Sequence, residues 1–250
     1  MDTRHTYRFL VYNIRYCTGF GWRFHTPFPF SGYLRSTQKG LQQIKGFIEE
    51  YNPDITALIE VDGGSRRSGG MNQARQIAAE LGHDYIFATK YQHQILNRFM
   101  PLMKNQGNAC LVSRKILSRR YHYFKKGIKR LIIEVELDNM ICFLVHLSIK
   151  HSHRQNQLEF LSELICRSPK PVVVGGDFNV FSGPEELEAF LNATNLESAN
   201  FNNYLTFPSK KPRWELDYIF LSPEITAQNI HVPRVTLSDH LPMVCDFTIN

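Results

Sequence analysis

The 250-residue chain lacks the features that mark several large classes of protein. Its five cysteines (Cys17, Cys110, Cys142, Cys166 and Cys245) are odd in number and include no Cys-x-x-Cys pair, which argues against a disulfide framework or a zinc knuckle. Its strongly apolar runs, such as Met140-Ile141-Cys142-Phe143-Leu144-Val145, are far too short to span a bilayer. No apolar segment follows the charges of Met1-Asp2-Thr3-Arg4-His5, so no signal peptide is visible and the expected location is cytoplasmic. There is no Pro/Gly/Ser-rich linker and no internal repeat, which leaves one domain over residues 1–250 as the expectation. Acidic residues are the minority, 23 against 29 Lys and Arg, for a net charge of +6. That surplus favours polyanions, phosphorylated small molecules or anionic membrane surfaces as partners, and no protein partner is evident.

What is present suffices for a core: 43% of residues are hydrophobic and 21% charged, which excludes disorder as the main state. Apolar spacing predicts a strand over 8–14, a helix over 36–51 and a strand over 55–60. A helix over 71–81 closes at Gly82, and a strand follows over 108–113. From Leu131 to Leu147 a hairpin turns at Asp138-Asn139; Ile133, Val135 and Leu137 alternate with Glu134 and Glu136, so one face of its first strand should meet water. A helix over 152–166, a strand over 171–174, a helix beginning at Ser182-Gly183-Pro184 and strands over 216–221 and 243–249 complete the pattern. This reads as α/β (α+β): a β core flanked by helices, with the hairpin arguing against a purely parallel sheet.

The informative positions are where apolar strands give way to polar residues. Asn13 follows Leu10-Val11-Tyr12, Glu60 follows Ala57-Leu58-Ile59, and His146 follows Phe143-Leu144-Val145. Asp177 and Asn179 follow Val172-Val173-Val174, and Asp239-His240 precedes Leu241-Pro242. Singly, each has an ordinary reading as a turn former, a cap or a core histidine. Five together point to one pocket at one edge of a rigid sheet scaffold. Asp177 and Asn179, two apart, should share a side, with Phe178 opposite.

These segments occur in a recognisable order: Asn13-Ile14-Arg15, Pro53-Asp54-Ile55 to Glu60, Gly107-Asn108-Ala109 to Ser113-Arg114, His146-Leu147-Ser148, Gly176-Asp177-Phe178-Asn179, Leu216-Asp217-Tyr218-Ile219 and Ser238-Asp239-His240-Leu241-Pro242. Together they resemble the endonuclease/exonuclease/phosphatase superfamily over nearly the whole chain. The resemblance implies a four-layered αββα sandwich of two packed mixed β-sheets, and metal-dependent hydrolysis of a phosphoester, usually with Mg²⁺ and with Mn²⁺ as a substitute. It implies Glu60, Asn13 and Asp239 as metal ligands, an oxygen donor set suited to a hard cation. Asp177 resembles the water-activating carboxylate, Asn179 a neutral donor, His240 the phosphate-contacting histidine, Asp217 the acid that orients it, and His146 a histidine near the leaving group.

The substrate is less constrained. Aromatic residues between Cys17 and Arg35 (Phe20, Trp22, Phe24, Phe28, Phe30, Tyr33) alternate with Arg23 and His25, and a basic belt runs through Arg114-Lys115, Arg119-Arg120, Lys125-Lys126 and Lys129-Arg130. Gly63 to Gly70 reads either as a mobile anion-binding rim or as a plain flexible loop. The belt and the aromatics lean toward nucleic acid as substrate. A phospholipid or inositol phosphate, reached by peripheral membrane contact, is the alternative within enzymes, and a catalytically silent polyanion-binding module the alternative outside them.

Overall fold

The computed structural model describes residues 5–20, 35–90, 105–124 and 131–250. Among these, one sheet is formed by β1 (Thr6–Asn13), β2 (Ile55–Asp62), β3 (Asp84–Thr89), β4 (Gln106–Val112), β11 (Ile225–His231) and β12 (Met243–Ile249), in the order β11-β12-β1-β2-β4-β3. The second contains β5 (Ser118–Tyr123), β6 (Leu131–Glu136), β7 (Ile141–His146), β8 (Val172–Asp177), β9 (Glu197–Ser198) and β10 (Asp217–Leu221), in the order β5-β6-β7-β8-β10-β9. Each sheet is antiparallel except for one central parallel pair, β1–β2 in the first and β7–β8 in the second.

The period-2 pleat assigns each strand residue to a layer. Phe9 and Val11 of β1 and Ala57 and Ile59 of β2 meet Ile133, Leu144, Val173 and Ile219 from the other sheet in a core between the sheets. The alternate residues Leu10, Tyr12, Leu58 and Ala109 pack under α1 (Gln38–Tyr51) and α2 (Gln73–Leu81). On the opposite outer face, Phe143, Val145, Val172, Val174 and Phe220 pack under α3 (His151–Cys166) and α4 (Glu188–Thr194). The result is the αββα sandwich. α2 ends as its sequence predicts, with Gly82 in the left-handed conformation (φ 67°).

Several expectations need correction. β6 does not present one face to water. Ile132 belongs to the core beneath α3, and Glu134 is buried where Arg120 and His122 of β5 reach its carboxylate. The helix opening at Pro184 is a 3-10 turn (Pro184–Leu187) that passes into α4. Arg119 pairs with Asp84 and Arg120 with Glu134 and Glu136, so that part of the basic belt is locally compensated. Belt residues 125–130 and the aromatics at 21–34 lie outside the described residues. Of the cysteines, four are buried and Cys166 is exposed.

The sheets approach closely at Gly175 of β8. A Cβ there would lie 2.5 Å from the Phe9 ring and 2.8 Å from Val11 Cγ2, both on β1. Gly175→Ala should therefore lower unfolding free energy by about 1–3 kcal/mol, the usual scale for overpacking a tight core. Denaturant unfolding checks this; unchanged stability would mean the sheets can part there without penalty.

Candidate active site

The alternation that fills the core between the sheets also builds the site. On β1 the inward set Phe9, Val11 continues to Asn13, and on β7 Cys142, Leu144 continues to His146. On β8, Val173 and Gly175 lead to Asp177, and on β10 the inward Ile219 and Leu221 are preceded by Asp217. In each strand the apolar inward residues end in a polar one at the same end of the sandwich. His146 and Asp177 are register partners across β7–β8, and Asp217 and Asp177 across β8–β10. Asn13 Nδ2 donates to Asp177 Oδ2 at 3.1 Å, which ties the two sheets together across the pocket. His146 Nε2 lies 3.3 Å from the same carboxylate oxygen.

Glu60 arrives by a different device. It is not the last residue of its strand, as the apolar run suggested, since β2 continues to Asp62. Leu58 and Val61, three apart, both pack under the helices. The register shift against β4 lies between them, and Glu60 sits there with φ 58°. Bulges of this kind re-aim side chains, and a left-handed backbone at a non-glycine residue stores strain that its surroundings must hold. What holds it is the turn that follows. Asp62, fully buried, accepts from Gly64 N (3.0 Å), Ser65 N (2.7 Å), Ser65 Oγ (2.5 Å) and Arg67 Nε (2.5 Å). Burial alone would raise the Asp62 carboxyl, but the hydrogen bonds of Ser65 and the nearby Arg67 override it and hold it below its ordinary value. Part of the segment 63–70 is packed inward rather than lying on the surface: Arg67 and Ser68 are buried in it.

Asn179 departs from simple alternation, because β8 ends at Asp177 and Asn179 turns left-handed at φ 54°. Its N–H donates to Asp177 Oδ1 at 3.1 Å and its Nδ2 to Leu147 O at 3.2 Å. Phe178, as expected, faces away into the core beneath α3 and α4. His240 is buried, with Nδ1 2.7 Å from Asp217 Oδ2. Burial would lower its pKa, but the charge and hydrogen bond of Asp217, with Asp177 and Asp239 adding, raise it to about 10. Burial raises the Asp239 carboxyl; His240 and Arg15 oppose that rise and Glu60 adds to it.

Among the described residues two basic side chains also reach the site, and neither had a role assigned from sequence. Lys90, buried just beyond β3, places Nζ 3.5 Å from Glu60 Oε1 and donates to Tyr16 OH at 3.1 Å. Arg15 Nε lies 3.2 Å from Asp239 Oδ2. The signal for Arg15 was its place in Asn13-Ile14-Arg15; Lys90 became legible only with β3 in hand.

Two sets of side chains bear on metal binding. Ligand atoms of Asp177, Asp217 and His240 lie within 4.8 Å of one another, a group able to coordinate a divalent ion. Glu60, Asn13 and Asp239 supply side-chain oxygens; burial is what chiefly raises the Asp239 carboxyl and the nearby Glu60 adds to it, so an added cation would relieve the pair.

A two-sheet sandwich with such a cluster at one end of its strands has the architecture and the acid–histidine chemistry suited to metal-dependent phosphoester hydrolysis. The chain belongs to the endonuclease/exonuclease/phosphatase family, whose model matches residues 10–240. It is 33% identical over 108 residues to YbhP of Escherichia coli K12, a match spanning 40% of this chain and 42% of that protein. Its fold is similar to that of an endonuclease/exonuclease/phosphatase family protein from Bacteroides thetaiotaomicron (TM-score 0.77, 15% identity, 99% of each chain covered). It is also similar to a mannosyl-6-phosphatase from that organism (TM-score 0.73, 16% identity, 97% of this chain and 100% of that one). The human Nocturnin catalytic domain with bound sulfate gives a TM-score of 0.68 at 20% identity, covering 100% of this chain and 97% of that one.

Because the pKa of His240 is raised from its ordinary 6.5 to about 10, its cation contributes stability that is full below 6.5 and lost as pH rises through 10. Asp217→Asn should lower the His240 pKa well below about 10, since burial then acts against only the smaller charges of Asp177 and Asp239. An NMR titration of the imidazole in chelator-treated protein measures this, and an unmoved pKa would reject the pairing.

Proposed function

We propose that the chain hydrolyses a phosphodiester by direct attack of water, with Asp177 as the group that takes the proton. The observation that carries this reading is the convergence on Asp177: Asn13 Nδ2 and Asn179 N hold its two oxygens at 3.1 Å each, and His146 Nε2 lies at 3.3 Å. A carboxylate so fixed cannot rotate away from a water placed before it, which is how a positioned base gains over one in solution. His240, kept cationic by Asp217, faces the phosphate oxygens and offsets charge that develops there. His146 stands by the leaving oxygen, and Asn179 holds the turn that carries Asp177.

Glu60, Asn13 and Asp239 are the ligands we assign to Mg²⁺, or to Mn²⁺ in its place. When bound, the ion supplies positive charge against the phosphate. The proton shared by His240 Nδ1 and Asp217 at 2.7 Å argues for leaving that pair as a hydrogen-bonded unit rather than as ligands. Lys90 pairs with Glu60 and Arg15 with Asp239, and so they help to position the two acidic ligands.

Nucleic acid was the substrate favoured by the basic belt, and the local pairing of Arg119 and Arg120 weakens that support. Substrate class is therefore decided by assay on DNA, RNA, sphingomyelin, an inositol polyphosphate and an aryl phosphodiester, with Mg²⁺, with Mn²⁺ and with chelator. Asp177→Asn should lower turnover ~10²–10⁴-fold with the melting curve little changed. Near-wild-type turnover would remove Asp177 from the role of base. In parallel, Glu60→Ala should weaken Mn²⁺ binding by at least about tenfold while His240→Ala does not. The reverse result would move the ion to the Asp177, Asp217 and His240 cluster.

A further inference from the structure

Beside the pocket the chain carries an apolar rim. Residues 201–205, Phe201-Asn202-Asn203-Tyr204-Leu205, are all exposed, with Phe201 at 60% and Leu205 at 40%. The rim is shaped, because Asn200 Nδ2 donates to Tyr204 O at 2.9 Å and Tyr204 N donates to Asn200 Oδ1 at 3.0 Å. The chain then doubles back, Phe207 pairing with Trp214, and half-exposed Trp214 and Phe181 meet edge to face at 5.8 Å. The Phe207 ring lies 4.8 Å from that of His240, so the rim adjoins the pocket itself.

Along its own segment the charge is of one sign. Between Asn200 and Trp214 there is no Asp or Glu, while Lys210, Lys211 and Arg213 are all exposed. The first acid beyond, Glu215, is part-buried and receives Asn200 Nδ2 at 2.6 Å. Single exposed apolar residues are ordinary on a protein surface. Aromatic and aliphatic side chains gathered on one loop and fringed by lysine and arginine are the composition of a surface that rests in a lipid headgroup region.

We propose that this rim docks the protein on an anionic phospholipid surface, with Phe201, Tyr204 and Leu205 entering the headgroup region and Lys210, Lys211 and Arg213 contacting lipid phosphates. A nucleic acid fits less well. Leu205 gives a base no ring to stack on, and Phe181 meets Phe207 at 89° and Trp214 at 66°, so these rings pack on one another rather than opening parallel faces. The docking does not depend on the role assigned to Asp177.

The test is co-sedimentation of the full chain with vesicles of phosphatidylcholine alone or with added phosphatidylglycerol. Binding only to the phosphatidylglycerol vesicles is expected, falling at least about tenfold in Phe201→Ser/Leu205→Ser and again in Lys210→Glu/Lys211→Glu, with melting temperatures unchanged. No vesicle binding, or equal binding by wild type and variants, would overturn the proposal. So would a single-stranded oligonucleotide that binds wild type and is lost in the same variants while vesicles are ignored. Turnover of a water-soluble aryl phosphodiester, read alongside, separates the two readings. If wild type is inactive but binds vesicles, hydrolysis fails alone; if it is active but ignores vesicles, docking fails alone.

Discussion

Everything at the working end of this molecule depends on the pleat of two facing sheets. A strand must send alternate side chains to opposite faces, and here the inward faces of β1, β7, β8 and β10 meet across one core. Where that core stops, the next inward position on each strand is polar: Asn13, His146, Asp177 and Asp217. The central parallel pairs bring the carboxyl ends of β1 and β2, and of β7 and β8, to the same edge. The Asn13–Asp177 hydrogen bond then fixes the distance between the two sheets at the place where chemistry would occur. Glu60 needs a break within its strand, and the buried Asp62 knot directly after it holds that break.

Electrostatics follow from the same geometry. Three inward strands and one loop deliver acids into a space with little water, and left alone they would repel one another. The protein meets this with cations of its own, Lys90 at Glu60, Arg15 at Asp239 and the His240 ring at Asp217. Each is placed by an element other than the one carrying its acid, so the balance exists only in the assembled fold. A cluster of buried and half-buried acids, each with a cation beside it, favours a further positive ion and an anionic ligand arriving together.

Much of this was legible because the inner strands are apolar on both faces, so a single polar residue stands out. Asn13, His146 and Asp177 showed themselves in that way, and helices α1 and α2 followed from their spacing and from Gly82. What was not legible lacked that contrast. β3, β5 and β11 carry sequences such as Ser-Arg-Arg-Tyr-His-Tyr, half-exposed edge or near-edge strands whose polar faces look like loop. Glu134 looked solvated because its partners, Arg120 and His122, lie on a strand that the pattern did not reveal. Lys90 was hidden for the same reason, and the Glu60 bulge is a backbone event that alternation cannot report.

The path of the chain between the sheets has a bearing on synthesis. The first sheet opens with β1 to β4, the second is then laid down complete from β5 to β10, and only afterwards does the chain return so that β12 pairs with β1. Asp239 and His240 sit immediately before that last strand. A nascent chain can therefore assemble most of its hydrophobic interior while still missing the histidine and acid that finish its pocket. The pocket is therefore complete only once β12 is paired with β1, which seats the Asp239–His240 segment beside strands formed much earlier in the chain.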